Sequence, residues 1–240
     1  MARPAKEPRR FRAGSEHLLP YYADGMLTPA QLDVNGYLDC LQACRDKFPD
    51  LRIISGVELG EPHWHAQQAT DLIAAGRFEL VLGSLHGLMV DGQFAEVAQL
   101  MQERRPTTVI RDYLLEVARL VANCQIFSVL AHIDYPVRYW RQHVRSGPFD
   151  PTQFEDEYRH VLDLLASSDR ALEINTRLNP YPAIVRWWRE AGGQAITFGS
   201  DAHVPNALAT GFADAAALAE AEGFRPGRAP EDLWHRVLHR

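Results

Sequence analysis

The sequence has few cysteines and no long apolar run, and it carries no excess of positive charge. No apolar stretch approaches the ~20 residues of a membrane-spanning helix, and the basic, proline-rich start lacks the apolar centre of a signal peptide. We therefore expect neither a membrane span nor export. The three cysteines, Cys40, Cys44 and Cys124, form no metal-ligand or redox motif, so we expect a reducing, cytoplasmic location.

Negative charge outweighs positive charge along the chain. The sequence has 25 Lys and Arg against 31 Asp and Glu, which gives a net charge of −6. Such a balance favours neither the wrapping of nucleic acid nor binding to an anionic membrane. A small molecule is therefore the expected partner, and the sequence leaves the oligomeric state open.

The length fits one domain. The chain has 240 residues, 46% of them hydrophobic, which is enough to bury a sizeable core. It has no repeat, low-complexity linker or break in composition. We expect residues 1–13 to form a flexible basic arm and residues 14–240 to form a single domain.

Short apolar runs rich in β-branched residues alternate with amphipathic stretches. The runs at 51–58, 78–86, 126–132, 170–175 and 194–201 are typical of buried strands. This alternation predicts an α/β fold with a parallel sheet and outer helices, either as an open sheet or as a barrel.

Three polar-plus-proline pairs precede the amphipathic stretches. Thr28-Pro29, Pro106 with the two threonines that follow, and Asp150-Pro151 each resemble a helix start, with proline at the first helical position. We expect helices to begin at these three places.

Metal-capable side chains end four of the five predicted strands. Glu58 ends the first, His86 the second, His132 the third, and Asp201 with His203 follows the fifth. Because catalytic groups collect where parallel strands end, these side chains are expected at one rim. Carboxylates and imidazoles together are ligands of zinc, manganese and iron hydrolase centres.

The other histidines form a contrast. They fall in predicted helices or loops with no strand before them, so we assign them to surface or packing roles: His63, His65, His143, His160, His235 and His239. His63 and His65 imitate a metal-binding HxH pair, but residues two apart on a predicted helix face different directions.

Six short strings, in this order, carry a resemblance to a known family. They are SEH (15–17), GVELGE (56–61), GSLHGL (83–88), AHIDYP (131–136), LEINTR (172–177) and GSDAH (199–203). The chain resembles the polymerase and histidinol phosphatase (PHP) family, closest to its histidinol-phosphatase branch. The resemblance implies a distorted (β/α)7 TIM-like barrel holding two or three divalent ions of Zn, Mn or Fe. The ligands that it implies are His17, Glu58, His86, His132, Asp201 and His203.

One family feature is missing. The family opens with a metal-binding HxH pair on its first strand, whereas His17 is the first histidine here and no strand is predicted before it. We therefore expect the first βα unit to be missing, either because the start codon is assigned too late or because the chain is a variant with fewer ions. We expect weaker stability and activity than in a form extended upstream.

The resemblance implies phosphomonoester hydrolysis. Glu58, Asp201 and His203 are the implied catalytic residues, and histidinol phosphate is the substrate that the branch suggests. Within this mechanism Glu58 bridges two ions, His86 and His132 hold one of them, and His17 with His203 holds a third.

Two arginines are candidates for binding the substrate. Arg177 and Arg138 lie just after strand-end motifs and are placed to clamp a phosphate. Two alternatives stay open. One is a metal-dependent amidohydrolase, although no predicted strand ends in the lysine that this class commonly adds. The other is a degenerate PHP-like domain with a binding or structural role, which the missing HxH favours.

Overall fold

The structure, a computed structural model, describes residues 32–143, 147–178 and 180–237, together with the backbone of short strands at 16–18, 20–23 and 26–29. The predicted arm at 1–13 and the side chain of His17 lie outside the described residues.

The strands alternate with helices along most of the chain. In chain order the strands are β1 (Glu16–Leu18), β2 (Pro20–Ala23), β3 (Met26–Pro29), β4 (Gly56–Gly60), β5 (Leu80–Ser84), β6 (Gly87–Val90), β7 (Gln93–Glu96), β8 (Val129–Leu130), β9 (Ala171–Asn175), β10 (Ala195–Gly199), β11 (Phe224–Arg225) and β12 (Trp234–Arg236). The helices are α1 (Val34–Lys47), α2 (Ala66–Ala74), α3 (Val97–Glu103), α4 (Pro106–Asn123), α5 (Trp140–His143), α6 (Glu155–Ala166), α7 (Pro182–Glu190) and α8 (Phe212–Ala221). Short 3-10 turns lie at Tyr135–Tyr139, Pro151–Phe154 and Pro205–Ala207. Within the described part of the chain, no helix combines the length and the apolar character needed to cross a membrane.

The central sheet is mostly parallel, as the sequence predicts. Its strands are ordered β1-β4-β5-β8-β9-β10-β12-β11, and the neighbours from β1 to β10 pair in parallel. All five predicted strands are present as β4, β5, β8, β9 and β10. The α/β prediction is confirmed, and the carboxyl ends of the five strands lie along one edge.

The sheet is open rather than closed. Strand β12 pairs antiparallel with β10, and β11 pairs with β12, so the free side of β10 is taken by an antiparallel pair. Among the described residues β11 does not pair with β1 at the other end. The closed barrel implied by the resemblance is therefore not seen here.

A strand precedes β4 although none is predicted there. The backbone of β1 pairs in parallel with β4, and His17 lies opposite Glu58 in the register. Residues 16–18 were not among the predicted strands, whereas the expectation that no strand lies ahead of His17 falls on residues 1–15, outside the described residues. Strand β1 is only three residues long, which explains why an apolar-run criterion misses it.

Two of the three predicted helix starts agree with the structure. Helix α4 begins at Pro106, and Asp150 caps the 3-10 turn that leads into α6, its Oδ1 accepting a hydrogen bond from the amide of Thr152 at 3.0 Å. The start at Thr28-Pro29 is wrong because those residues end β3, which pairs with β2. Helix α1 begins later, where Asp33 accepts a hydrogen bond from the Gly36 amide at 3.0 Å.

The main apolar core lies between the sheet and helices α3, α4, α6, α7 and α8, and α4 connects it to the rim. Tyr113 on α4 is fully buried, and its hydroxyl lies 2.8 Å from the carbonyl of His132 and 3.2 Å from that of Leu85. A hydroxyl that bonds to carbonyls just beyond β5 and β8 fixes both strand ends against the helix. The core thereby positions the residues that follow those strands.

Candidate metal centre

Three predicted ligands meet at the rim. Glu58 on β4, His86 after β5 and His132 after β8 bring one ligand atom each to within 4.8 Å of one another. The Oε1 atom of Glu58 lies 2.6 Å from Nε2 of His132 and 3.5 Å from Nε2 of His86. All three side chains are buried. We call this set the triad.

The triad fits a divalent metal ion. One carboxylate and two imidazoles are the three protein ligands found at many catalytic zinc sites, where a fourth position stays open. Burying a carboxylate is costly unless a cation or hydrogen bonds compensate it. The donor atoms converge on one another instead of pointing to solvent, as an ion between them would require.

A buried glutamate supports His132 from behind. Oε2 of Glu173 lies 3.1 Å from Nδ1 of His132 and accepts a hydrogen bond from the His132 amide, also at 3.1 Å. The side-chain amide of Asn175 donates to the same carboxylate oxygen at 3.2 Å. A carboxylate on one imidazole nitrogen fixes the ring so that the other nitrogen faces the metal.

The charges around His132 favour a cation between the glutamates. Burial lowers the pKa of His132, but the carboxylates of Glu58 and Glu173 outweigh it and raise that pKa to about 10. In the metal-free protein the imidazole is therefore a cation at neutral pH. The two carboxylates favour a positive charge between them: a proton on His132 when no metal is bound, or a metal ion.

A second buried glutamate lies behind His86. Glu61 follows β4, is fully buried and has a left-handed backbone with φ of 46°. Its Oε1 accepts hydrogen bonds from the amides of His86 and Gly87, the latter at 3.2 Å, and lies 3.8 Å from Nδ1 of His86. Burial raises the pKa of Glu61 to about 7, although the two amide bonds act in the opposite direction.

Asp201 lies at the end of β10 beside two arginines. Its Oδ2 is 2.7 Å from Nη1 of Arg138 and 3.1 Å from Nη1 of Arg177. Burial raises the pKa of Asp201, but Arg138 and His132 outweigh it and leave this pKa below its ordinary value. The structure thus places Asp201 at the predicted rim, where it pairs with both predicted phosphate-binding arginines.

Arg138 is the more buried of these arginines. Its side chain is 12% exposed and its guanidinium stacks on the ring of Tyr135 at 4.7 Å, whereas Arg177 is 49% exposed. The Nη2 atom of Arg138 is buried and has no hydrogen-bond partner among the described residues. A buried donor of this kind is suited to an oxygen of a bound anion.

His203 does not join the triad. Its side chain is 61% exposed, and its Nδ1 lies 3.0 Å from the carbonyl oxygen of Asp201. The predicted ligand His17 has its backbone opposite Glu58 in the sheet, and its side chain lies outside the described residues.

His63 agrees with its predicted packing role. Its side chain is 5% exposed in the turn before α2, where Nε2 lies 2.9 Å from a carboxylate oxygen of Glu116 on α4. Burial lowers the pKa of His63 despite that carboxylate. This pair anchors the turn to α4 and takes no part in the triad.

Glu61 and Glu173 were not predicted as site residues. Glu173 and Asn175 alternate with apolar residues along β9, which is the period-2 pattern of side chains that face one side of a sheet. That pattern is visible in the sequence and points to polar groups on the inner face. No comparable pattern marks Glu61, whose position depends on the left-handed turn after β4.

Comparisons with known proteins place the chain beside one group of phosphatases. The histidinol-phosphatase of Lactococcus lactis subsp. lactis (strain IL1403) is 26% identical over 196 residues, which cover 77% of this chain and 70% of that protein. The Thermotoga maritima protein named "Probable histidinol-phosphatase" is 33% identical over 114 residues, covering 45% of this chain and 46% of its own. No protein-family model matches the chain.

The fold comparison agrees. The crystal structure of histidinol phosphate phosphatase from Lactococcus lactis, complexed with Zn, L-histidinol and phosphate, superposes with a TM-score of 0.71. It shares 23% sequence identity and covers 88% of this chain and 81% of that one. The chain resembles the histidinol-phosphatases in sequence and in fold.

Proposed function

We propose that the chain is a metal-dependent phosphatase that hydrolyses a small phosphomonoester, with histidinol phosphate as its substrate. The observation that carries this proposal is the buried triad with a buried arginine at the same rim. Metal ions and guanidinium groups both bind phosphate oxygens. The relatives' names, and the ligands of the lactococcal structure, support the same substrate.

Glu58, His86 and His132 would hold a divalent ion, and zinc is the metal of the lactococcal structure. When bound, such an ion supplies an activated water molecule and positive charge for the phosphate. Further ions, giving two or three of Zn, Mn or Fe in all, remain part of the proposal. Their ligands would come from His17, Asp201 and His203 as well as from Glu58.

Arg138 would bind the phosphate. Its Nη2 donor is buried without a hydrogen-bond partner among the described residues and would donate to an oxygen of the phosphate, while Asp201 pairs with Nη1. Arg177 pairs with the same Asp201 oxygen from a more exposed position and would close over the phosphate. Asp201 then orients both guanidinium groups. His203, exposed beside it, would contact the phosphate through a further ion.

We also propose PHP as the family, since the six strings keep the family's order and three of them supply the triad. The open sheet of the described residues gives no support for barrel closure, so the proposal covers the family and not the closed (β/α)7 barrel. Cytoplasmic location stays a prediction. The amidohydrolase alternative gains nothing, because Lys47, the lysine among the described residues, is the last residue of α1.

Metal analysis combined with a phosphatase assay tests this function. Purified protein is analysed for Zn, Mn and Fe and assayed on histidinol phosphate and on p-nitrophenyl phosphate, beside the variant Glu58→Gln. We expect bound metal and turnover of histidinol phosphate in the wild type, and loss of both in the variant. Metal-free, inactive wild-type protein, even after metal is added back, would instead support a binding or structural module.

A further inference from the structure

We infer that Glu61 is a positioning residue for His86, holding its backbone and supplying negative charge behind its ring so that Nε2 faces the metal ion. The inference rests on the proposed function, because it needs an ion at the triad. It adds a residue that neither the strand-end pattern nor the family resemblance assigns.

The contacts of Glu61 are with the segment that carries His86. One carboxylate oxygen accepts the two successive amides of His86 and Gly87, and the same oxygen lies 3.8 Å from Nδ1 of the His86 ring. The Glu61 amide in turn donates to the carbonyl of Ser84 at 2.9 Å. Glu61 therefore holds the backbone on both sides of Leu85 by hydrogen bonds. These bonds fix the backbone position of His86, from which its imidazole extends.

Burying the Glu61 carboxyl group costs free energy, which indicates a role beyond holding the backbone of His86. Its side chain is fully buried, its Oε2 has no hydrogen-bond partner among the described residues, and none of their Lys or Arg side chains pairs with it. Its left-handed backbone is itself unfavourable for a residue other than glycine. A neutral amide would accept the same two hydrogen bonds, so the choice of a carboxyl group at this buried position needs its own explanation.

The other triad histidine repeats the arrangement. Glu173 accepts the amide of His132 and lies behind its Nδ1, as Glu61 does for His86. The two glutamates come from different parts of the sheet, Glu61 from the turn after β4 and Glu173 from β9. A negative charge behind each imidazole raises its basicity as a ligand.

The metal affinity of Glu61→Gln separates the effect of the negative charge from the effect of the hydrogen bonds to the backbone. The glutamine keeps an oxygen for both amides but carries no charge. The Zn dissociation constant, obtained by competition with a chromogenic chelator, is expected to rise roughly 10–100-fold. The melting temperature of the metal-free variant is expected to stay equal to or above that of the wild type, because an uncompensated buried charge is removed. Glu61→Asp, which keeps the charge, should recover part of the affinity.

Glu79→Gln is the matched control. Glu79 also accepts a backbone amide, that of Ser55 at 2.9 Å, but it lies at the opposite end of β4 and β5. Removing the charge of Glu79 should leave the Zn affinity unchanged. The visible spectrum of the Co²⁺-loaded protein adds a readout of ligand geometry, which we expect Glu61→Gln to change and Glu79→Gln to leave as in the wild type.

Two results would overturn the inference. If Glu61→Gln binds Zn as tightly as the wild type, or if its metal-free form melts well below the wild type, Glu61 only holds the backbone. If the wild type itself binds no divalent metal, the proposed function fails and the inference fails with it. The wild-type titration therefore distinguishes the two failures.

Discussion

Two parts of the rim are built differently. At β4, β5 and β8 the triad is buried, and each imidazole has a carboxylate behind it. At β10, Asp201 is paired with Arg138 and Arg177, and His203 is 61% exposed. The first part has convergent donor atoms and a demand for positive charge. The second part already holds positive charge on its guanidinium groups.

This difference suggests that metal binding and phosphate binding take place at different strand ends. A buried site whose carboxylates have no arginine or lysine in a described ion pair favours a metal ion, since the ion compensates the carboxylates. A half-exposed site with guanidinium donors favours an anion that arrives from solvent. The triad side would therefore hold metal before substrate binds, and the β10 side would receive the phosphate.

The largest expected effect comes from removing a triad histidine. His132→Asn should weaken binding of the tightest ion by more than the ~10–100-fold that loss of an outer-shell partner causes. His203→Asn, the matched change at β10, should leave that ion in place and lower turnover instead. Chelator competition and metal analysis of both variants check this. Equal loss of the tightest ion in both would mean that the two parts of the rim form one metal site.

The arginines should differ from each other in turnover. Arg138→Met removes a buried charged donor, and hydrogen bonds to charged groups contribute about 1.5–3 kcal/mol, so kcat/KM should fall roughly 10–150-fold. Arg177 is half exposed, where an ion pair contributes about 0–1 kcal/mol, so Arg177→Met should cost less than about fivefold. Steady-state kinetics on histidinol phosphate measures both.

Metal affinity is the control for the arginine pair. Neither change should weaken Zn binding at the triad, because neither arginine contacts Glu58, His86 or His132 in a described ion pair. A larger loss from Arg177→Met than from Arg138→Met would contradict the assignment of the phosphate to the buried guanidinium.

Much of this arrangement is readable from the sequence. Buried parallel strands appear as apolar runs, so β4, β5, β8, β9 and β10 were predicted, and parallel pairing then brings their ends to one edge. That step alone places Glu58, His86 and His132 together. It needs no knowledge of side-chain contacts, which is why the triad was predicted and its support was not.

The features that the sequence did not predict depend on contacts between distant segments or on unusual backbone angles. The antiparallel pairing of β12 with β10 joins distant segments of the chain, and no local pattern specifies it. Thr28-Pro29 resembles a helix cap, yet proline also suits a strand end, and pairing with β2 decides the outcome. Glu61 depends on a left-handed turn that glycine would normally mark.

The turn between β4 and α2, which carries Glu61, is held to α4 by the hydrogen-bonded pair His63 and Glu116. We expect acid to weaken this attachment. His63 and Glu116 are hydrogen-bonded, and both of their pKa values lie below the ordinary ones, that of His63 because of burial. For Glu116, burial raises the pKa but the hydrogen bonds to His63 and Arg119 outweigh it. A group whose pKa is lower in the folded state binds fewer protons there than in the unfolded state, so acid favours unfolding.

The contribution of this pair is complete above the unfolded pKa of His63, 6.5, and is lost as the pH falls through that value and then through 4.5, the unfolded pKa of Glu116. The part of the melting temperature that this pair supplies in the metal-free protein should therefore fall between about pH 7 and pH 4. Glu116→Gln should melt lower than the wild type at neutral pH, and the difference between the two should shrink as the pH falls through 4.5, since only the wild type then loses the charge at position 116. Calorimetry across this range, with Asp163→Asn on the outer surface of α6 as the control, measures the difference. A variant profile parallel to that of the wild type would place the acid sensitivity elsewhere in the fold.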